Sequence, residues 1–344
     1  MTMSSGARRL VSLTFLTILS ATAAVAEKPF AVQTRWTIGG EGGWDYLLAD
    51  GPAHRLYVTH GPRVEVLDSD SGKVIASITG LKGTHGVALD PDGKLGYISD
   101  GGANAVVVFD RTSFQTVRSI PAGTNPDGIV FEPKTRTVWA FNGRSKDATV
   151  IDATTQKVVA TVPLPGKPEF PAVDGTGTVF VNIEDKNEIV KVDAGTWTPV
   201  ATWPLAGLES PSGLAIDVSG HRLFAVCDGK KMAVVDTETG KLLATPAIGN
   251  GPDAANYDSE RKLAFSSNGQ DGTLTIVDAG KPGYPVLQTV ATQKSGRTMS
   301  WDPTAGRAYV VVAELGARPA PTADNPRPRP AIVPGSFSVL VIGR

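Results

Sequence analysis

The chain has 344 residues, 41% apolar and 19% charged, with a formal charge of −1. That composition excludes a disordered chain. The lack of a basic tract speaks against a dedicated nucleic-acid binder, though not against a local basic groove. The single cysteine, Cys227 in "RLFAVCDG", excludes an internal disulfide and reads as an apolar strand residue.

The first 26 residues read as an address. Arg8 and Arg9 precede an apolar run from Leu10 to about Ala24, and Ala24-Val25-Ala26 supplies small residues before Glu27. This is the pattern of a signal peptide. Its removal would shift the formal charge to −3. The run is short for a membrane span, and no second one occurs later in the chain. The expectation is one domain at 27–344, periplasmic or secreted, with no transmembrane segment in the mature chain.

A strand at 31–39, "AVQTRWTIG", has no partner strand beside it in sequence. Then a repeat sets in. An aspartate ends an apolar strand at Asp68, Asp110, Asp152, Asp193, Asp236 and Asp278, with gaps of 42, 42, 41, 43 and 42 residues. Each such strand is succeeded by a polar turn and one more strand. Each aspartate is therefore expected to accept backbone hydrogen bonds in that turn. A unit holds four short strands, as in "DGIVFEP", "TRTVWAFN", "ATVIDA" and "KVVATVPL". Four-stranded units of this period are propeller blades.

Six units run at roughly 44–80, 86–123, 124–166, 167–207, 208–249 and 250–293. A seventh starts at "RTMSWDP" and lacks its fourth strand, which the 31–39 segment can supply. The fold class is therefore all-β: a seven-bladed propeller of antiparallel blades, closed by the N-terminal strand pairing with the C-terminal blade. Closure also removes exposed sheet edges. Residues 315–335 carry six prolines and read as a stiff excursion between strands of the last blade.

The chain resembles the YVTN family of exported seven-bladed repeat proteins (YncE-like). The resemblance rests on "YVTH" at 57–60, "YISD" at 97–100, "VFVN" at 179–182 and the wider strings "DGIVFEPKTRTVWAFNG" and "VIDATTQKVVATVPLPG". It covers about 30–344. It implies the propeller fold and an exported or surface location. The roles linked to the family, in surface layers, the cell envelope and DNA binding, remain open.

Propellers bind near the central channel, where the turns entering each innermost strand converge. By that analogy Asp45, His85, Asp127, Glu169, Asp253 and Arg297 meet at one mouth, walled by Trp44, Tyr46 and Phe170. Two classes of function fit. One is a noncatalytic, monomeric envelope protein binding a small molecule, peptide, glycan or another protein. The other is a metal-assisted lactone or ester hydrolase. There Asp127 and Asp253 would hold a divalent cation such as calcium, with Glu169 as an alternative holder or water activator. His85 would relay a proton and Arg297 would stabilise the oxyanion. No Gly-x-Ser-x-Gly elbow, Cys-x-x-Cys-His or dinucleotide loop is present. Single-stranded DNA binding has the thinnest support: Trp44 beside Lys167, Lys294 and Arg297. Asp127 and Asp253 also have a structural reading, as turn caps in "NPDG" and "GPDA". His60 is expected at the opposite or middle region. His54 and His221 are expected in outer turns. The tryptophans at 36, 139, 197, 203 and 301 are expected in strands, buried between blades.

Overall fold

The computed structural model describes residues 1–3, 28–322, 328 and 330–344. The leader proposed at 1–26 therefore lies almost wholly outside the described residues. Among the described residues, seven separate four-stranded antiparallel sheets succeed one another around a ring. Six are built from consecutive strands. The seventh takes Met299–Asp302, Arg307–Val312 and Ser338–Gly343 and adds Ala31–Thr37 as its outer strand. The closing pair runs antiparallel, with Ala31 opposite Gly343 and Thr37 opposite Ser338.

Alternation places the core. The second and third strands of each blade are buried on both faces, because a blade packs against a neighbour on each side. Tyr57, Tyr97, Trp139, Phe180, Phe224, Phe265 and Tyr309 are all inaccessible second-strand residues that fill the space between sheets. Cys227 is one of these core residues, and burial pushes its thiol up to about 12. The outer strands are largely exposed, as Val74–Ile78 and Thr116–Pro121 show.

The repeating aspartates do what their spacing predicts. Asp68 accepts from Ser71 N–H, Asp110 from Thr112 and Ser113, and Asp193 from Gly195 and Thr196. Asp152, Asp236 and Asp278 bond turn amides in the same way. The fourth residue after several of these aspartates is left-handed. Trp197 occupies that position with φ 56°, so it is a half-exposed turn residue and not a buried strand residue. The other four tryptophans of that group do lie in strands, with Trp139 and Trp301 buried.

At the equivalent turn position of the first blade stands Gly72, φ +73°, and a Cβ there would meet the Trp36 ring at 2.2 Å. Trp36 belongs to the closing strand. Gly72→Ala is therefore expected to cost more than the 1–2 kcal/mol or so of left-handed strain alone. Gly80→Ala, at φ +83° with open space around it, should cost only that strain. Urea unfolding of the two variants measures the difference.

A four-stranded blade puts its strand-one entry and its second-to-third connection on one face. Its other two hairpins lie on the opposite face. His54 and His221 lie in first-to-second connections, exposed on that opposite face as expected. His60 ends a second strand and pairs directly with Trp44, so it lies at the mouth end, contrary to the expectation from sequence. It is fully buried and stacked on Phe337, with ring centroids 3.8 Å apart. Burial and the nearby Arg63 lower its pKa to about 4.

Candidate binding site at the channel mouth

The first strand of most blades carries a register shift near its start, between Trp44 and Leu47, Thr84 and Val87, Pro126 and Ile129, Pro168 and Pro171, and Pro252 and Ala254. Such bulges free residues from the ladder and re-aim their side chains. Here they free Asp45-Tyr46, His85-Gly86, Asp127-Gly128, Glu169-Phe170 and Asp253. Together with Ser212 and Arg297 from the other two blades, one polar side chain per blade reaches the same cavity of about 930 Å³.

The residue after each polar one decides how the axis is filled. Tyr46 and Phe170 come from blades one and four, which are not neighbours, and their rings meet with centroids 4.7 Å apart. The contact therefore crosses the channel and obstructs it. The corresponding residues Gly86, Gly128 and Gly213 leave room for adjacent blades: a Cβ on Gly128 would meet the Glu169 carbonyl oxygen at 2.5 Å. Phe170 supports Tyr46, and it is Tyr46 with Trp44 that lines the cavity.

The ring is paired unevenly. Arg297 donates to Asp253, to Asp45 Oδ1 at 3.0 Å and to the Trp44 carbonyl at 2.8 Å. His85 Nδ1 lies 2.6 Å from Asp45 Oδ2 and 3.5 Å from Asp127 Oδ1. Lys167 contacts Glu169 and Glu184, each at 2.5 Å. Among the described residues, Asp45, Asp127, Glu169, Glu184 and Asp253 thus face only His85, Lys167 and Arg297, while Glu41 and Arg318 add one charge of each sign.

The titration behaviour reflects that imbalance. Burial opposes ionisation of Asp45, but Arg297 and His85 outweigh it and hold its carboxyl below the usual range. Burial also works against charge on His85. The Asp45 hydrogen bond and the Asp127 charge reverse this and raise its pKa to about 9. Burial and the Asp45 charge raise Asp127 to about 7 despite His85. Burial and the Asp127 charge raise Glu169 to about 8 despite Lys167. Asp253 is also raised by burial, which Arg297 offsets only in part. Tyr46 is pushed far above an ordinary phenol by burial and by all four ring carboxylates, so its hydroxyl stays neutral.

The donor atoms of Asp45, His85 and Asp127 lie within 4.8 Å of one another, a geometry able to hold a metal ion. The set differs from the expected pair. Asp253 is engaged by Arg297, and Asp45 and His85 stand beside Asp127 instead. An imidazole among the donors suits a borderline ion better than calcium, which favours oxygen ligands. Neither Asp127 nor Asp253 acts as a turn cap: both side chains make ion pairs across blades.

No family model matches the sequence, and no curated protein matches it. The fold is shared widely among solved structures. The chain is similar to the hydrazine synthase structure of Kuenenia stuttgartiensis, with TM-score 0.69 and 16% identity over 78% of this chain and 92% of that one. It is also similar to the structure of U3-55K, with TM-score 0.73 and 10% identity over 88% of this chain and 97% of that one. The shared property is the propeller. At these identities the similarity speaks for the fold alone.

Several cavity residues were not singled out from sequence. Ser212 occupies the blade-five position of the ring. Glu184 and Gln270 come from second-to-third connections on the same face, as does the proline-rich segment, whose Leu315, Arg318, Pro330, Ile332 and Pro334 border the cavity. A bridge between Leu315 and Ile332 holds the base of that excursion together. The face rule for four-stranded blades would have placed all of these.

Proposed function

We propose that the protein is an exported, noncatalytic, monomeric binding propeller, similar to YVTN proteins, whose ligand site is the cavity at the channel mouth. The observation that carries this reading is the cavity itself, about 930 Å³ in volume and lined by at least one polar side chain from each blade. That size suits a drug-sized ligand or a short peptide. The obstruction by Tyr46 and Phe170 makes it a pocket entered from one face. The would-be oxyanion binder, Arg297, is already committed to two carboxylates and a carbonyl, which favours binding over catalysis. Among the described residues no helix is long and apolar enough to cross a membrane.

Two of the three cations that a DNA-binding reading needs are neutralised in place: Lys167 lies between Glu169 and Glu184, and Arg297 between Asp45 and Asp253; the third, Lys294, is exposed and does not line the cavity. A second reading, metal-assisted ester or lactone hydrolysis, is favoured by the Asp45–His85–Asp127 cluster. It requires a metal to displace the proton that His85 shares with Asp45.

Native mass spectrometry of the exported chain, with elemental analysis of the same sample, separates the two. The binding reading expects an additional organic mass or a metal-free chain that takes up a small molecule saturably. Stoichiometric metal together with ester turnover would overturn it.

A further inference from the structure

We infer that the ligand of this cavity carries an organic ammonium group on an apolar body, the ammonium seated between Asp127 and Glu169. The inference rests on the binding reading above and names the ligand class.

Three observations carry it. First, among the described residues that line it, the cavity is short of positive charge. Arg297 serves Asp45 and Asp253, and Lys167 is divided between Glu169 and Glu184. Asp127 has only the more distant contact to His85, at 3.5 Å. Asp127 and Glu169 sit at equivalent positions of adjacent blades, where one added cation would serve both.

Second, Tyr46 is about 95% buried and lines the cavity, and its hydroxyl makes no hydrogen bond to a described residue and is open to the cavity. A neutral phenol oxygen amid four carboxylates can accept from an ammonium N–H, and the ring face favours a nearby cation. A hydroxyl that opens on the cavity and serves no protein acceptor or donor is available to a ligand.

Third, the rest of the lining is wrong for a hydrated metal ion. Trp44, Leu315, Pro330, Ile332 and Pro334 offer apolar surface facing the acidic ring. The compact metal-capable cluster comprises Asp45, His85 and Asp127, and Glu169 is not part of it. A small ion seated there would leave Glu169 with only its share of Lys167. An ammonium with an apolar body reaches the carboxylates with its head and the proline-rich rim with its tail.

The test is isothermal titration of the metal-free protein with phenethylamine and its uncharged isostere 2-phenylethanol, with zinc and calcium as separate titrants. Phenethylamine should bind at 1:1 and at least tenfold tighter than 2-phenylethanol. Asp127→Asn, Glu169→Gln and Tyr46→Phe should each weaken the amine at least several-fold and leave 2-phenylethanol unchanged. His221→Ala, on the opposite face, should change nothing. A tripeptide with a free amino terminus, set against its N-acetylated form, shows the source: tighter binding of the free peptide than of phenethylamine names a peptide terminus, and the reverse names a free amine.

Equal binding of amine and alcohol would overturn the ammonium and leave the cavity as a binding site. A metal ion that binds and excludes the amine would also overturn it, in favour of the second reading. If phenethylamine, 2-phenylethanol and both tripeptides all fail to bind, both the ammonium and the binding reading fall.

Discussion

Arg297→Met is expected to destabilise the protein by about 2–4 kcal/mol at neutral pH, the largest loss foreseen for any single side chain at the mouth. The guanidinium joins Asp45 of blade one, Asp253 of blade six and the Trp44 carbonyl. Removing it strands the buried Asp253, leaves Asp45 with His85 alone, and unties two blades that flank the ring closure. Its side chain is 31% exposed to the cavity, so the expected cost lies below that of a fully enclosed pair. Burial works against its charge, yet Asp253 and Asp45 hold Arg297 firmly protonated. Lysine should rescue little, because one ammonium cannot present the planar fork these three acceptors use. Adding Asp253→Asn to the methionine variant should recover part of the loss. Urea denaturation of the single and double variants measures it, and strict additivity would show that the contact carries no coupling.

Asp127→Asn should have the opposite sign, with an effect that builds from about pH 4 and is nearly complete by neutrality. The folded-state pKa of Asp127 is about 7, against an ordinary carboxyl value of 3.8. Between those values the folded chain holds a proton that the unfolded chain has released. Stability therefore falls as pH rises through that window. Asparagine removes this loss. At pH 8.5 the variant should be more stable than the parent by on the order of 2 kcal/mol; the difference should shrink at pH 5, where the unfolded parent is already largely ionised, and vanish only below 3.8, where both states of the parent are protonated. Glu169→Gln should behave alike, with its window reaching about 8. His85 runs alongside. Its folded pKa of about 9 lies above the ordinary 6.5, so its contribution is complete below 6.5 and is lost as pH rises through 9. Melting curves from pH 5 to 9.5 test this, and a destabilised Asp127→Asn at pH 8.5 would refute it. Residues whose removal strengthens the fold are what a site shaped for a ligand should contain.

The architecture was legible because it is written seven times. The aspartate-ended strand and its turn recur in register, and a missing fourth strand at one end matched a spare strand at the other. The location of the mouth residues came from the same repeat. Their pairing did not. Whether Arg297 turns to Asp253 or stands free, and whether His85 meets Asp45 or Asp127, depends on side-chain reach across a channel some blades wide. Sequence spacing carries no such distance. The bulges that aim these residues leave little trace beyond a proline or glycine near the strand start. Trp197 misled because a tryptophan is expected in a core, yet here backbone geometry put it four residues past Asp193 in a left-handed turn. His60 was misplaced for want of the rule that second-strand ends share a face with first-strand starts.

The closing pair also sets how the ring responds to force. Ala31 and Gly343 are opposite one another at the same end of the antiparallel ladder. A pull applied through both chain ends loads that one pair first and then peels the remaining hydrogen bonds in turn, as a zipper opens. A load parallel to the strands would instead strain all of them at once. The closure is therefore weakest against tension between its two ends, while a tether at one end alone transmits no peeling load across it.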